Sequence, residues 1–141
     1  KDGSKKMSKS ELSDLSRINL KDNKDQIINK IKKAKTDPLP MPNNSKELTE
    51  RLEAQNLLGI YSSLNNSTLE NSINKFAGKN FSEFKEELSE LLINKILPIS
   101  DKIKKLLNDE QYLDSILLDG VERANQIASK KMKNLREIVG F

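Results

Sequence analysis

Residues 54–64 read AQNLLGIYSSL, and their apolar side chains recur at the spacing of one helix face. Ala54, Leu57, Leu58, Tyr61 and Leu64 occupy positions i, i+3, i+4, i+7 and i+10. Because an α-helix completes a turn about every 3.6 residues, side chains at this spacing lie on the same side. The pattern predicts an amphipathic helix with one buried face, and therefore a helical core.

The stretch downstream predicts a short helix and then a long one. Thr68 is placed to cap the short helix, which closes at Gly78, and Ser82 is placed to cap the long one. Pro98 is expected to kink the long helix, because its ring clashes with the preceding turn. The side chains expected to face inward are Leu69, Ile73, Phe76, Phe84, Leu88, Leu91, Leu92, Ile96, Ile99, Ile103 and Leu106.

A last helix is predicted to start at Asn108 or Asp109 and to end at Gly140 and Phe141. Its apolar residues again recur at helical spacing, so we expect them to be buried. Met132 is expected to join them in the core. The residues of this predicted inner face are Leu113, Leu117, Val121, Ala124, Ala128, Leu135 and Val139.

The sequence upstream predicts one more helix and a linker. Asp25 is placed to cap a helix over residues 26–35, with Ile27 and Ile31 on its apolar side. Three prolines make residues 37–47 a linker, because proline lacks an amide donor and restricts the residue before it. A further break is expected near Glu50 or Arg51, since Leu48 and Leu52 fall on another side of the following helix.

No alternating run of β-branched residues and no fixed-period repeat stands out. The predicted fold class is therefore all-α, a basic loop followed by a helical bundle. We divide the chain into a loop segment over residues 1–24, a connecting helix over 25–36, the Pro/Asn-rich linker over 37–47 and a helical domain over 48–141.

The composition excludes several classes of function. The 141 residues contain no cysteine and no histidine, which excludes disulfides, the usual zinc sites and acid–base catalysis by histidine. No apolar run is long enough for a membrane helix, so we expect no membrane partner and a cytoplasmic location, or an organelle's matrix or stroma. The chain is too short for a nucleotide-binding sheet plus a separate helical module. Its opening at Lys1 in a polar loop suggests a cut through a longer protein.

Positive charge is concentrated at the start of the chain. Residues 1–37 carry eleven Lys and Arg against six Asp and Glu, a net charge of +5, whereas the remaining residues carry fourteen against fifteen, a net charge of −1. This distribution favours a polyanionic partner such as nucleotide phosphates or RNA. A solvated lysine-rich surface is the alternative.

The pentapeptide Lys6, Met7, Ser8, Lys9 and Ser10 stands inside this basic segment and reads KMSKS. Two flexible ammonium groups three residues apart, with serine hydroxyls and loop amides, can follow negative charge that moves onto a departing pyrophosphate. Gly3 and Ser4 give the backbone freedom to approach a triphosphate. A solvated Lys/Ser loop would look similar, so the surrounding sequence has to decide.

The KMSKS pentapeptide is shared by many class I aminoacyl-tRNA synthetases, and the segments after it resemble the tryptophanyl-tRNA synthetases of bacterial type. The resemblance covers essentially residues 1–141. It is carried by residues 13–20 and 31–37, by the Glu53 to Leu58 stretch EAQNLL, by FAGK at 76–79 and by IVGF at 138–141. One departure is Glu11, because the family usually has aspartate after the pentapeptide. The family's nucleotide-binding (Rossmann) domain, with its HIGH-type motif, is absent from this chain.

The resemblance implies what the full protein would do. It would activate tryptophan with ATP and Mg²⁺, form tryptophanyl-adenylate, and transfer tryptophan to its tRNA. Lys6 and Lys9 would be the catalytic residues, with Met7, Ser8 and Ser10 completing the ATP site. Tryptophan itself would bind the missing N-terminal domain, the full enzyme would be a homodimer, and this chain would be inactive alone.

The helical part of the chain would then meet tRNA. Basic residues on the last helix could contact phosphates, although ordinary solvated positions are the alternative. They are Arg123, Lys130, Lys131, Lys133 and Arg136. Two other patterns have plainer explanations: Tyr61, Phe76, Phe81 and Phe84 fit core packing better than base stacking, and Glu86, Glu87 and Glu90 fit a solvated face better than a metal site.

Two other functions stay open at this point. The first is a synthetase-derived helical RNA-binding module without catalysis. The second is a structural helical bundle with a basic surface and no RNA partner, whose weak RNA binding would not respond to salt.

Overall fold

The computed structural model of the chain describes residues 13–140. None of these residues lies in a strand, and the all-α fold class is confirmed. Over residues 13–140, one 3-10 turn, Asp14–Ser16, precedes six helices. The helices are α1 (Lys24–Lys32), α2 (Ser45–Thr49), α3 (Leu52–Leu64), α4 (Leu69–Phe76), α5 (Phe81–Leu107) and α6 (Glu110–Val139).

One of the three predicted helix caps is confirmed, and so is the predicted start of the last helix at Asn108 or Asp109. Thr68 caps α4 by accepting a hydrogen bond from the amide of Asn71, and Asp109 caps α6 by accepting one from the amide of Tyr112. The cap predicted at Asp25 is wrong, because Asn23 starts α1 in a reciprocal capping box with Gln26. The cap predicted at Ser82 is also wrong, since α5 begins one residue earlier, at Phe81.

The predicted helix ends and the predicted kink at Pro98 have different outcomes. The break near Glu50 and Arg51 is confirmed, and it separates α2 from α3. Gly78 follows α4 with a φ of +70°, which confirms it as the closing glycine. Helix α5 runs through Pro98 without ending, and its kink stays a prediction.

The core lies between α1, α2, α3, α4 and the first half of α5. Its aromatic centre is a set of edge-to-face contacts, with ring centroids 4.9 Å apart for Tyr61 and Phe76 and 4.8 Å apart for Phe76 and Phe84. Core packing is therefore confirmed for these three rings. The buried apolar residues are Ile27, Ile31, Met41, Leu48, Ala54, Leu57, Leu58, Tyr61, Ile73, Phe76, Phe84, Leu88 and Leu92.

The proline-rich stretch between α1 and α2 is held against this core. Met41 is only 1% exposed, and its backbone exchanges hydrogen bonds with Gly78 and Lys79 at 3.1 and 2.8 Å. The guanidinium of Arg51 donates to both carboxylate oxygens of Asp37, at 2.6 and 2.9 Å, and to the carbonyls of the two residues before Met41. These bonds fix a segment that has no helix of its own.

Backbone contacts divide the chain into two compact units between Asp101 and Lys102. In the second unit none of the described residues, 102–140, is buried. The prediction that the apolar face of α6 is buried is therefore wrong. Leu117 is 66% exposed and Met132 is 49% exposed. The predicted stripe of α5 also ends early, since Ile99 is 43% exposed, and Leu69 on α4 lies outside the core. Periodicity identifies an apolar face, but burial requires a second surface to cover it.

Candidate functional site

The two predicted catalytic lysines lie outside the described residues. Lys6 and Lys9, together with Met7, Ser8 and Ser10, precede Ser13, the first residue that the structure describes. Their predicted roles are therefore untested by its geometry. What the structure does describe is the segment that directly follows them, residues 13–22, and the way it is attached to α1.

The ammonium group of Lys30 holds this segment. Its Nζ lies 2.6 Å from Oδ2 of Asp14 and 2.7 Å from Oδ2 of Asp22. The side chains of Lys30 and Asp22 are only 6% and 4% exposed, whereas that of Asp14 is 51% exposed. A lysine on α1 thus draws together two carboxylates that lie eight residues apart in the preceding loop.

Asn19 links the same two carboxylates from the other side. Its backbone amide donates to Oδ2 of Asp22 at 2.8 Å, and its side-chain amide donates to Oδ1 of Asp14 at 2.8 Å. The amide of Asp22 donates back to the carbonyl of Asn19 at 3.0 Å, which closes a turn. Arg17 adds an ion pair to Asp14 at 3.2 Å. We call Asp14, Asn19, Asp22 and Lys30 the loop anchor.

The charges of the loop anchor stabilise one another. The hydrogen bond from Lys30 is the main reason that the pKa of Asp14 lies below its ordinary value. Burial lowers the pKa of Lys30, but the hydrogen bonds to Asp14 and Asp22 outweigh it, and the ammonium is held above its ordinary pKa. Both shifts favour the charged forms of Asp14 and Lys30, which attract each other.

The loop anchor is tied to the core through α1. Ile27 and Ile31, on either side of Lys30, are 0% and 4% exposed. Lys85 of α5 donates to the carbonyls of Lys32 and Ala34, at 3.1 and 2.7 Å, and so binds the other end of α1. Sequence reasoning did not single out the loop anchor. The available signal was a lysine placed between two isoleucines of a predicted buried face.

The five predicted RNA-contacting residues on α6 are all exposed, which fits either a phosphate contact or a solvated surface. They do not lie on one side of the helix. Arg123 and Lys130 are seven residues apart and share a side, and Arg123 forms an ion pair with Asp119 at 3.2 Å. Lys131 lies on another side. Lys133 and Arg136 line a shallow depression of 520 Å³ together with Glu137.

The carboxylates predicted to form a solvated face have separate environments. Glu87 accepts hydrogen bonds from Lys75 and from the hydroxyl of Tyr61. Glu86 and Glu90 are exposed and line an open cavity of 590 Å³, with Lys24 and Lys85 among the other lining residues. Among the described residues no group of acidic side chains has the arrangement of a metal site.

Comparison with known families decides the identity of the chain. Residues 1–97 match the family model described as tRNA synthetases class I (W and Y). The chain belongs to this family. The match includes the KMSKS pentapeptide and every residue of the loop anchor, and it extends into α5.

Individual relatives match the whole chain. Tryptophan--tRNA ligases from Agrobacterium fabrum (strain C58) and Rickettsia felis are each 50% identical to it over 141 residues, and the one from Rhizobium meliloti is 46% identical. The chain spans 40% to 42% of the length of these relatives. In the part of the chain that the structure describes, no helix is long and apolar enough to cross a membrane.

Proposed function

We propose that this chain is the C-terminal part of an enzyme that activates tryptophan with ATP and transfers it to tRNA. The observation that carries the proposal is the identity of about half of all 141 residues to proteins named tryptophan--tRNA ligase. The family model covers both tryptophan and tyrosine enzymes, and the relatives favour tryptophan. The missing upstream region would supply the tryptophan pocket.

In this reaction the carboxylate of tryptophan attacks the α-phosphorus of ATP, and pyrophosphate leaves. Lys6 and Lys9 carry the positive charge that would stabilise the leaving group as its charge grows. Met7, Ser8 and Ser10 would set the backbone between them and add amide and hydroxyl donors. Mg²⁺ is proposed to enter the reaction bound to ATP.

The basic side chains of α6 are proposed to contact the phosphates of tRNA. The support is their exposure and charge, and the phosphate backbone is the part of RNA that such residues bind without sequence selectivity. The full enzyme is proposed to be a homodimer in the cytoplasm or an organelle's interior.

The test of the reaction uses the protein with its upstream region restored. We expect ATP–pyrophosphate exchange that depends on tryptophan and does not occur with tyrosine. Exchange with tyrosine instead would assign the chain to the other branch of the family. No exchange with either amino acid would contradict the proposal and favour a non-catalytic RNA-binding relative.

The proposed role of Lys9 is tested by Lys9→Ala in the same protein, with Lys5→Ala as the matched control outside the pentapeptide. Because the contact strengthens in the transition state, we expect Lys9→Ala to lower the exchange rate about 100-fold or more, with little change in the KM for tryptophan. A rate equal to that of Lys5→Ala would refute this role.

The proposed tRNA contacts are tested by the salt dependence of binding. A variant with Lys130, Lys131 and Lys133 changed to alanine should bind tRNA more weakly, and its slope against log salt should fall by about 0.7 to 0.9 for each lost phosphate contact. Lys46→Ala, an exposed lysine of α2, is the control. An unchanged slope would assign these lysines to a solvated surface.

A further inference from the structure

The loop anchor determines where the chain leaves the helical core on its way to the KMSKS pentapeptide. Ser13 is held by the 3-10 turn, where the amide and the hydroxyl of Ser16 both donate to its carbonyl, at 3.3 and 2.9 Å. Asp14, the next residue, is bound to Lys30. Ser13, the first described residue after the pentapeptide, is therefore the direct neighbour of a residue whose carboxylate binds a buried ammonium on α1.

The number of residues between Lys9 and the first fixed residue sets the greatest distance that the chain can span between them. Ser13 lies four positions after Lys9 in the sequence, which allows a reach of about 14 Å at full extension. Without the loop anchor, the nearest residue packed against the core would be Ile18, nine residues from Lys9, and the reach would grow to about 30 Å. The loop anchor thus shortens the stretch of chain between the fixed part of the molecule and the pentapeptide.

A buried lysine with two carboxylates is a costly way to hold a surface loop if stability is its only role. Apolar residues of similar size usually stabilise a protein as well as buried ion pairs do. An ion network, in contrast, has fixed directions and distances, and it specifies one arrangement of the segment. A segment that adjoins a catalytic loop has to be held in one arrangement if the loop is to be positioned reproducibly.

We propose that Lys30 is a positioning residue for amino-acid activation, acting through Asp14 and Asp22 to set the place from which the chain runs to Lys9. This inference rests on the proposed function. The proposed role requires no contact between Lys30 and ATP or tryptophan, since its ammonium binds Asp14 and Asp22. Its contribution is geometric, because a small misplacement of a group that stabilises the transition state lowers the rate without weakening substrate binding equally.

The test measures ATP–pyrophosphate exchange in the protein with its upstream region restored. Lys30→Met keeps the length of the side chain and removes its charge. We expect it to lower kcat between about tenfold and 100-fold, with the KM for tryptophan within about twofold of the starting protein. Lys33→Met, an exposed lysine three residues along the chain, is the control and should leave both parameters unchanged.

A second variant keeps the test decisive if Lys30→Met fails to fold. Asp14→Asn removes the charge of the half-exposed partner and preserves its shape, so the core is untouched. We expect a loss in kcat of about threefold to tenfold, and faster amide hydrogen exchange over residues 14–22. Retention of full kcat by a folded Asp14→Asn or Lys30→Met protein would overturn the proposal.

A double-mutant cycle with Lys9 separates positioning from general stability. If Lys30 acts through the pentapeptide, Lys30→Met should cost much less in a Lys9→Ala background than alone. Equal and additive losses would show that Lys30 only stabilises the fold, and would overturn the proposal. Exchange activity of the starting protein tests the proposed function separately, because it depends on neither substitution.

Discussion

The core-forming region and α6 carry the same kind of amphipathic sequence, but only the first buries its apolar face. Leu88 of α5 is 0% exposed, whereas Leu117 of α6 is 66% exposed. Both leucines belong to apolar faces with helical spacing, so spacing cannot be the difference. A repeating apolar pattern therefore predicts a helix and its apolar face, whereas burial of that face depends on whether another part of the molecule packs against it.

The largest expected difference between the two regions is in the free energy of unfolding after each leucine is replaced by alanine. In the 141-residue chain, Leu88→Ala should lower the free energy of unfolding by about 2 to 5 kcal/mol, because it leaves a cavity in the core. Leu117→Ala should change it by less than about 0.5 kcal/mol. Urea denaturation followed by circular dichroism measures both. Equal losses would mean that α6 is covered in solution.

A second comparison uses two arginines. The side chain of Arg51 is 13% exposed and bonds to Asp37 and to two carbonyls, whereas that of Arg123 is 74% exposed and pairs only along its own helix, with Asp119. Arg51→Met should cost about 1 to 3 kcal/mol, because it leaves partly buried acceptors without donors. Arg123→Met should cost less than about 0.5 kcal/mol. Thermal unfolding of the two variants measures both effects. An equal fall in the two midpoint temperatures would contradict this prediction.

Two glycines should respond in opposite directions. Gly78 has a φ of +70°, a conformation that strains any side chain, so Gly78→Ala should destabilise the chain by about 1 kcal/mol. Gly120 lies inside α6 with open space around it, and Gly120→Ala should stabilise that helix by about 0.5 to 1 kcal/mol. Helix content on heating reports the second effect. A loss of helix in Gly120→Ala would show that α6 has a close neighbour at this point.

The smallest effect concerns acid sensitivity. Partial burial raises the pKa of Glu87, but the hydrogen bonds from Lys75 and Tyr61 outweigh it and hold the pKa below its ordinary value of 4.5. This contribution to stability is therefore present above pH 4.5 and is lost as the pH falls through the lowered pKa. Glu87→Gln should flatten the acid side of the stability curve by less than about 1 kcal/mol. Asp119→Asn on α6 is the control, and an equal flattening there would contradict the assignment.

Local signals in the sequence predicted much of the fold. Thr68, Asp109 and Gly78 act through their own backbone neighbours, so their roles could be recognised from a few residues. The caps predicted at Asp25 and Ser82 were wrong. Helix α1 is capped by Asn23, two residues before Asp25, and α5 begins at Phe81, one residue before Ser82. The first residue of a helix depends on which of several nearby polar side chains accepts hydrogen bonds from the unpaired amides of its first turn.

The candidate site was less predictable than the fold. The KMSKS pentapeptide could be recognised directly, because its chemistry resides in consecutive residues. The loop anchor could not, since Lys30 meets Asp14 and Asp22 across sixteen and eight residues of chain. Any of the eleven basic residues in this part of the sequence could have paired with them. The position of Lys30 between two isoleucines of a buried face distinguishes it from the other basic residues, but it does not indicate which carboxylates it meets.

The sequence by itself determined the helices, the aromatic core and the family, because periodicity, capping residues and a contiguous motif are local or can be compared directly. Only the tertiary structure decided that the proline-rich segment is fixed by Arg51, that Lys30 binds two carboxylates, and that the apolar face of α6 is exposed. These features depend on which surfaces meet after folding. Ion pairs and burial are properties of pairs of distant residues, and they become defined only when the core brings those residues together.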